Sequence, residues 1–226
     1  MIELNKISKN YKTKNTISVL KSINYKFKQG KIYSIIGPSG SGKSTLLNLL
    51  SLIDRPSKGK IIIDSNEINF KNKINNDILR AKKIGIIYQD KNLLSDFTAL
   101  ENVYLARLSL DDDKLKAIQD AKKIIKKVGL TKRINHYPSE LSGRESQRIA
   151  ICRALINSPE IILADEPTGN LDHKNSKEIF KILMKLSNKK RTIIFATHNR
   201  YFANLADCKI ELIDGKIKVI NGKRRK

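Results

Sequence analysis

At 226 residues the chain can form one large domain, or a core with a smaller subdomain. Its 45 Lys and Arg against 22 Asp and Glu leave a net charge of +23, which admits a nucleic-acid or anionic-membrane surface. The lysines are nevertheless spread along the whole chain among many Asn and Ile, as AT-rich codon usage produces. Two cysteines, Cys152 and Cys208, exclude a disulfide framework. No apolar run reaches the ~18 residues of a bilayer span, and Met1-Ile2-Glu3-Leu4 lacks the basic-then-apolar layout of a signal peptide. A soluble cytoplasmic protein is expected.

Residues 2–11 and 19–27 mix β-branched and aromatic residues with lysines and predict two half-exposed strands before a turn at Gln29-Gly30. Tyr11 closes the first of them, either as a strand-end packing residue or as a ring on which a base stacks. The apolar run Ile32-Tyr33-Ser34-Ile35-Ile36 then leads into Gly37-Pro38-Ser39-Gly40-Ser41-Gly42-Lys43-Ser44-Thr45, with a helix from Lys43 to about Ser51. Strand, glycine-rich loop and helix in this order read as a phosphate-binding P-loop in preference to a flexible Gly/Ser turn with a chance lysine. Small residues let successive backbone N–H groups turn toward one anion, and the positive end of the helix dipole arrives at the same point. Lys43 is expected to reach the β- and γ-phosphates of a nucleotide, and the Ser44 hydroxyl to ligate Mg²⁺. One P-loop means one nucleotide site per chain.

Arg55-Pro56-Ser57-Lys58-Gly59 reads as a turn, Lys60 to Asp64 as a strand and Asn75 to Lys83 as a short helix. A further strand, Ile84-Gly85-Ile86-Ile87-Tyr88, delivers Gln89, which at a strand's carboxyl end can hold a water or Mg²⁺ but in a loop commonly does neither. From Thr98 to Val128 the pattern is helical. Leu115, Ile118, Ala121, Ile125 and Val128 recur at three- and four-residue steps, Asp111-Asp112-Asp113 provide an acidic start and Gly129 a stop. Farther on, Ser142 stands where an N-cap belongs with Glu145 three residues later. That spacing is a capping box, and equally a helix start that offers free N–H groups to an anion.

Ile161-Ile162-Leu163-Ala164 is a buried-strand run ending in Asp165-Glu166. Two carboxylates there suit a nucleotide site, Asp165 for Mg²⁺ through water and Glu166 to polarise the attacking water. Asp172 opens a helix carrying Ile179, Ile182, Leu183 and Leu186 on one face, and Thr192 to Ala196 is a strand that ends at Thr197-His198. Ligands of parallel sheets bind at such strand ends. A hairpin around Asp214-Gly215 follows, and then a basic tail, Lys223-Arg224-Arg225-Lys226, which is either a frayed terminus or a contact for an anionic leaflet.

The P-loop, Gln89, Leu141-Ser142-Gly143, Asp165-Glu166-Pro167, Asp172 and His198, in this order, resemble the nucleotide-binding subunit of an ATP-binding cassette (ABC) transporter over nearly the whole chain. Asn92-Leu93-Leu94, Thr98 to Val103 and Glu166 to Asp172 are similar to the group serving lipoprotein release, macrolide export and antimicrobial-peptide resistance. The resemblance implies an α/β P-loop NTPase core, with a RecA-like, mainly parallel sheet and flanking helices, plus an N-terminal antiparallel β subdomain and an inserted helical subdomain. Residues 1–89 and 159–226 are expected to form the core, and 90–158 the helical subdomain with the signature motif.

It further implies two ATPase subunits facing head to tail, as a homodimer in preference to a heterodimer, at the cytoplasmic face of a bacterial inner or plasma membrane, where they move integral-membrane subunits. Each ATP would lie on the P-loop of one chain, residues Gly37, Pro38, Ser39, Gly40, Ser41, Gly42, Lys43, Ser44 and Thr45, with Tyr11 stacked on adenine. The other chain's signature, Ser142, Gly143, Arg144 and Glu145, would cap it, with Asp172 at the dimer loop. Glu166 would activate water, His198 would contact the γ-phosphate, and Gln89 would join Ser44 and Asp165 at Mg²⁺. No nucleic acid is expected.

Other classes are a cytoplasmic ABC ATPase acting on ribosomes or nucleic acid, and a weakly active nucleotide-dependent scaffold. Against the first, the chain lacks a second cassette and any long coiled-coil or zinc insertion; against the second, Lys43, Asp165, Glu166 and His198 are intact. Arg144 replaces a usual glycine, Ser146 a common glutamine, and Asn199 a frequent aspartate. An arginine beside the capping amides can point away, add a favourable charge or hinder closure, and mildly reduced turnover is expected from it.

Overall fold

The computed structural model describes residues 1–12, 15–110, 112–169 and 171–220. Asp111, Asn170 and the basic tail Lys223–Lys226, each singled out in the sequence, lie outside the described residues. In chain order the elements are β1 (Ile2–Lys12), β2 (Thr16–Phe27), β3 (Ile32–Ile36), α1 (Lys43–Leu50), β4 (Lys58–Ile63) and β5 (Asn66–Glu67). There follow α2 (Lys73–Lys83), β6 (Ile84–Ile87), α3 (Ala99–Leu108), α4 (Lys114–Lys127), α5 (Gly143–Leu155) and β7 (Ile161–Asp165). The chain continues through α6 (His173–Lys185), β8 (Thr192–Ala196), α7 (Arg200–Ala203), β9 (Cys208–Ile213) and β10 (Lys216–Ile220).

The strands form two sheets. A four-stranded sheet runs β2-β1-β4-β5, and its pairings are antiparallel. The six-stranded sheet runs β10-β9-β3-β8-β7-β6; it is parallel from β9 to β6, with β10 added antiparallel at one edge. The runs that read as unbroken apolar stretches in the sequence, β3, β7 and β8, are the central strands. They are buried on both faces, as parallel strands covered by helices must be.

Three apolar clusters hold these layers. Ile2, Leu4, Leu20, Phe27 and Ile61 of the antiparallel sheet pack with Leu46, Leu49 and Leu50 of α1 against one face of the parallel sheet. On its other face Phe180 of α6 stacks on Phe202 and meets Phe195 of β8 edge-on, with ring centroids 4.4 and 5.0 Å away. Helices α3, α4 and α5 enclose the third cluster through Val103, Ala117, Ala121, Ile125, Ile149 and Cys152. Helix α5 belongs to two clusters at once, with Ile151 and Ala154 toward the sheet and Ile149 and Cys152 toward the helices.

Three local features differ from the sequence reading. Leu115 does not join the buried stripe of α4 but is 76% exposed in the first turn, and Ala117 packs inward instead. The two-residue β5 is too short for alternation to reveal. The four-residue α7 is set by Asn199, whose side-chain oxygen accepts the N–H groups of Tyr201 and Phe202, a cap of the usual asparagine kind.

The joint between β6 and α5 is tight. A Cβ added at Gly85 would lie 2.3 Å from the carbonyl oxygen of Ala154 and 3.0 Å from Pro159 Cγ. Because the nearest obstacle is backbone, Gly85→Ala is expected to cost about 1–3 kcal/mol of stability, read as a lowered urea midpoint.

Candidate functional site

Strand register collects the polar residues at one edge of the parallel sheet. Ile35 pairs with Ala196 and Asp165 with the same residue from the other side, while Ile87 pairs with Ala164. Gly37, Gln89, Asp165-Glu166 and Thr197-His198 therefore leave neighbouring strands at the same end. A cavity of about 400 Å³ opens there, lined by Val19, Ser39, Gly40, Gly42, Lys43, Ser44, Thr45, Gln89, Asp165 and Glu166.

The loop into α1 is shaped by Gly42, the N-cap, at φ +100°, a left-handed conformation that L side chains rarely adopt. A Cβ there would also meet Leu20 Cδ2 at 2.9 Å and Val19 Cγ1 at 3.0 Å. The first N–H groups of α1 have no intrahelical acceptor, so they remain available to an anion. Lys43 Nζ curls back over the loop and donates to the carbonyl oxygens of Gly37 and Pro38, both at 2.9 Å. The Ser41 hydroxyl oxygen is buried without a hydrogen-bond partner, a donor that a bound phosphate oxygen would satisfy.

Across the cavity, Glu166 holds a left-handed backbone at φ +41°. Its N–H donates to Ala196 O at 3.1 Å and its carbonyl accepts the Gly169 N–H at 2.9 Å. Such conformations persist only where the surroundings over-determine them. The Glu166 side chain is only 13% exposed, and its Oε1 stands 3.0 Å from Nδ1 of His198, whose ring is 73% exposed. With Nδ1 committed to the carboxylate, the ring offers Nε2 to the solvent. Gln89 approaches the same turn, its amide nitrogen 3.2 Å from the position a Cβ of Gly169 would take.

The remaining expected residues do not line this cavity. Ser142 and Glu145 form the reciprocal capping box: the Ser142 oxygen accepts the Glu145 N–H at 3.3 Å, and Glu145 Oε2 accepts the Ser142 N–H at 2.9 Å and its hydroxyl at 2.7 Å. Arg133 adds a bond to Glu145 Oε1 at 3.0 Å. Arg144 turns its guanidinium to Glu178 of α6 at 3.2 Å, on the same oxygen that Arg148 holds at 3.0 Å. Asp172 caps α6 by accepting the Asn175 N–H at 3.0 Å. Tyr11, on β1, donates its hydroxyl to Asp54 at 3.1 Å. Val19 and Asp54 were not picked out from the sequence: a valine in a strand carries no site signal, and Asp54 is 43 residues from the tyrosine it bonds.

The ABC transporter family model matches residues 20–169. The chain belongs to the ABC transporter family. This ABC chain is 46% identical over 218 residues, 96% of each chain, to the lipoprotein-releasing system ATP-binding protein LolD of Rickettsia typhi. It is 44% identical over 223 residues, 98% of this chain and 100% of the other, to the uncharacterized ABC transporter ATP-binding protein MJ1508 of Methanocaldococcus jannaschii. Among solved structures it is similar to the post-hydrolysis dimer of the ATP-binding cassette MJ0796 bound to ADP and Pi, with a TM-score of 0.92 and 36% identity over 100% of both chains. The mixed α/β architecture expected from the sequence is the ABC cassette architecture, and the chain is an ATPase.

Glu145 provides a pH test of the capping box. Hydrogen bonds from the Ser142 hydroxyl and N–H, with the Arg133 guanidinium, hold its carboxyl below the usual range. A folded value below the unfolded one of about 4.3 makes its contribution complete above that pH and lost as pH falls through the lowered value. The difference in urea midpoint between the natural chain and Glu145→Gln should accordingly be larger at pH 6 than at pH 3.

Proposed function

We propose that this ATPase powers a lipoprotein-releasing system of the LolD kind, docking on integral-membrane subunits at the cytoplasmic face of the inner membrane. The identity of 46% over 96% of both chains to a LolD protein carries this reading. Among the described residues no helix is long and apolar enough to cross a membrane. Two identical chains would face head to tail. The exposure of Ser142, Gly143 and Arg144, away from the P-loop cavity of their own chain, supports this. Residues 1–89 and 159–226 act as the nucleotide-binding core and 90–158 as the helical subdomain with the signature motif.

The P-loop residues Gly37 to Thr45 cradle the phosphates of ATP, and Lys43 swings from the loop carbonyls to the β- and γ-phosphates. Tyr11 stacks on the adenine. Ser142 and Gly143 of one chain cap the γ-phosphate held by the other; Arg144 and Glu145 set that helix start, and Asp172 lies at the dimer loop. Glu166 takes a proton from the attacking water while His198 contacts the γ-phosphate. Fixed dipoles and Lys43 stabilise the charge of the transition state.

Mg²⁺ suits the donors present. Ser44, Gln89 and Asp165 are hard oxygen ligands at one cavity, and this ion keeps several waters beside one or two carboxylates and substrate phosphates. When bound, Mg²⁺ neutralises phosphate charge. Closure of the dimer on ATP drives the membrane subunits, and hydrolysis resets it.

Glu166→Gln keeps the shape of the side chain and removes the base. Phosphate release should fall by about 10²- to 10⁴-fold while ATP-bound dimer accumulates on gel filtration. Turnover equal to that of the natural chain would contradict the assigned base.

A further inference from the structure

Lys9 of β1 is only 8% exposed, rare for a lysine. Its Nζ donates to Asp54 Oδ1 at 2.6 Å and to the carbonyl of Arg55 at 2.9 Å. The other carboxylate oxygen, Oδ2, accepts the Tyr11 hydroxyl at 3.1 Å. The same ammonium stands 4.8 Å from the centroid of the Tyr11 ring, within cation–π range. Tyr11 is thus held at its hydroxyl by an anion and flanked on its ring by a cation, and it remains 38% exposed.

Two connections tie this cluster to the P-loop. The backbone N–H of Asp54 donates to the carbonyl of Asn48 in α1 at 3.2 Å, so the carboxylate is anchored on the P-loop helix. On the strand side Tyr11 pairs with Ile17. Two residues further along β2, at the register shift opposite Lys9 and Asn10, Val19 lines the P-loop cavity. Burial pushes the Asp54 carboxyl upward, but Lys9, the Arg55 N–H and the Tyr11 hydroxyl outweigh it and keep the group ionised.

We propose that Asp54, together with Lys9, is a positioning residue for the nucleobase: the pair fixes the Tyr11 ring relative to the P-loop, with one face free to stack on a purine. The proposal rests on the reading that Tyr11 meets the adenine of ATP. A tyrosine at a strand end would otherwise be ordered at the expense of binding, and here that ordering is completed in advance. If Lys9 and Asp54 only stitched β1 to the end of α1, base recognition would not depend on them.

Calorimetric titration of the full chain with ATP and, in parallel, with inorganic tripolyphosphate separates these roles. Tyr11→Phe and Asp54→Asn are each expected to weaken ATP binding about fivefold and to leave tripolyphosphate binding unchanged, and the double variant is expected to be no worse than either single one. Equal losses for both ligands in Asp54→Asn would show action through the P-loop helix and overturn the proposal. So would Tyr11→Phe binding ATP like the natural chain, a result that stays decisive even if Asp54→Asn fails to fold. Undiminished ATP affinity in Tyr11→Ala would instead remove the stacking reading itself.

Discussion

A sheet buried on both faces leaves polar side chains a place chiefly at the ends of its strands; Ser34 inside β3 is tolerated because its hydroxyl donates to the Ala203 carbonyl at 2.9 Å. In this chain β3, β7 and β8 are mostly apolar and enclosed by α1 on one side and α5 and α6 on the other. Their shared register brings the residues that follow them to one edge, where the P-loop, Asp165-Glu166 and His198 meet. Glu166 illustrates the constraint: backbone bonds to Ala196 and Gly169 lock a left-handed turn that sets its carboxylate beside His198. The chemistry is assembled by backbone pairing, and the side chains inherit their positions from it.

Helix α5 carries this order outward. It packs on the sheet through Ile151 and Ala154, closes the helical cluster through Ile149 and Cys152, and begins at the capping box of Ser142 and Glu145. The segment proposed as the signature is therefore a capped helix start rather than a loose loop. Arg144 is accommodated because its guanidinium is drawn to Glu178 on α6, leaving the segment exposed at the surface.

Much of this was legible in the sequence for physical reasons. Unbroken apolar runs identify two-face burial, glycine and small residues mark the P-loop, and Ser142 with Glu145 announces a cap. What stayed hidden depends on contacts distant in sequence. The link of Tyr11 to Asp54 spans 43 residues, and that of Arg144 to Glu178 spans 34. Neither has a local pattern. Leu115 shows the opposite failure: its helical spacing fits a buried stripe, but at the first turn of α4 it faces solvent.

The central claim is that each hydrolytic site is built from the P-loop of one chain and the signature of another. Mixing two inactive variants tests it most directly: Lys43→Ala, which loses the P-loop amine, and Ser142→Arg, which blocks the signature. In a mixed dimer one site combines both defects and the other has an intact P-loop facing an intact signature, so phosphate release should return on mixing. A mixture as inactive as either variant alone would contradict the composite site.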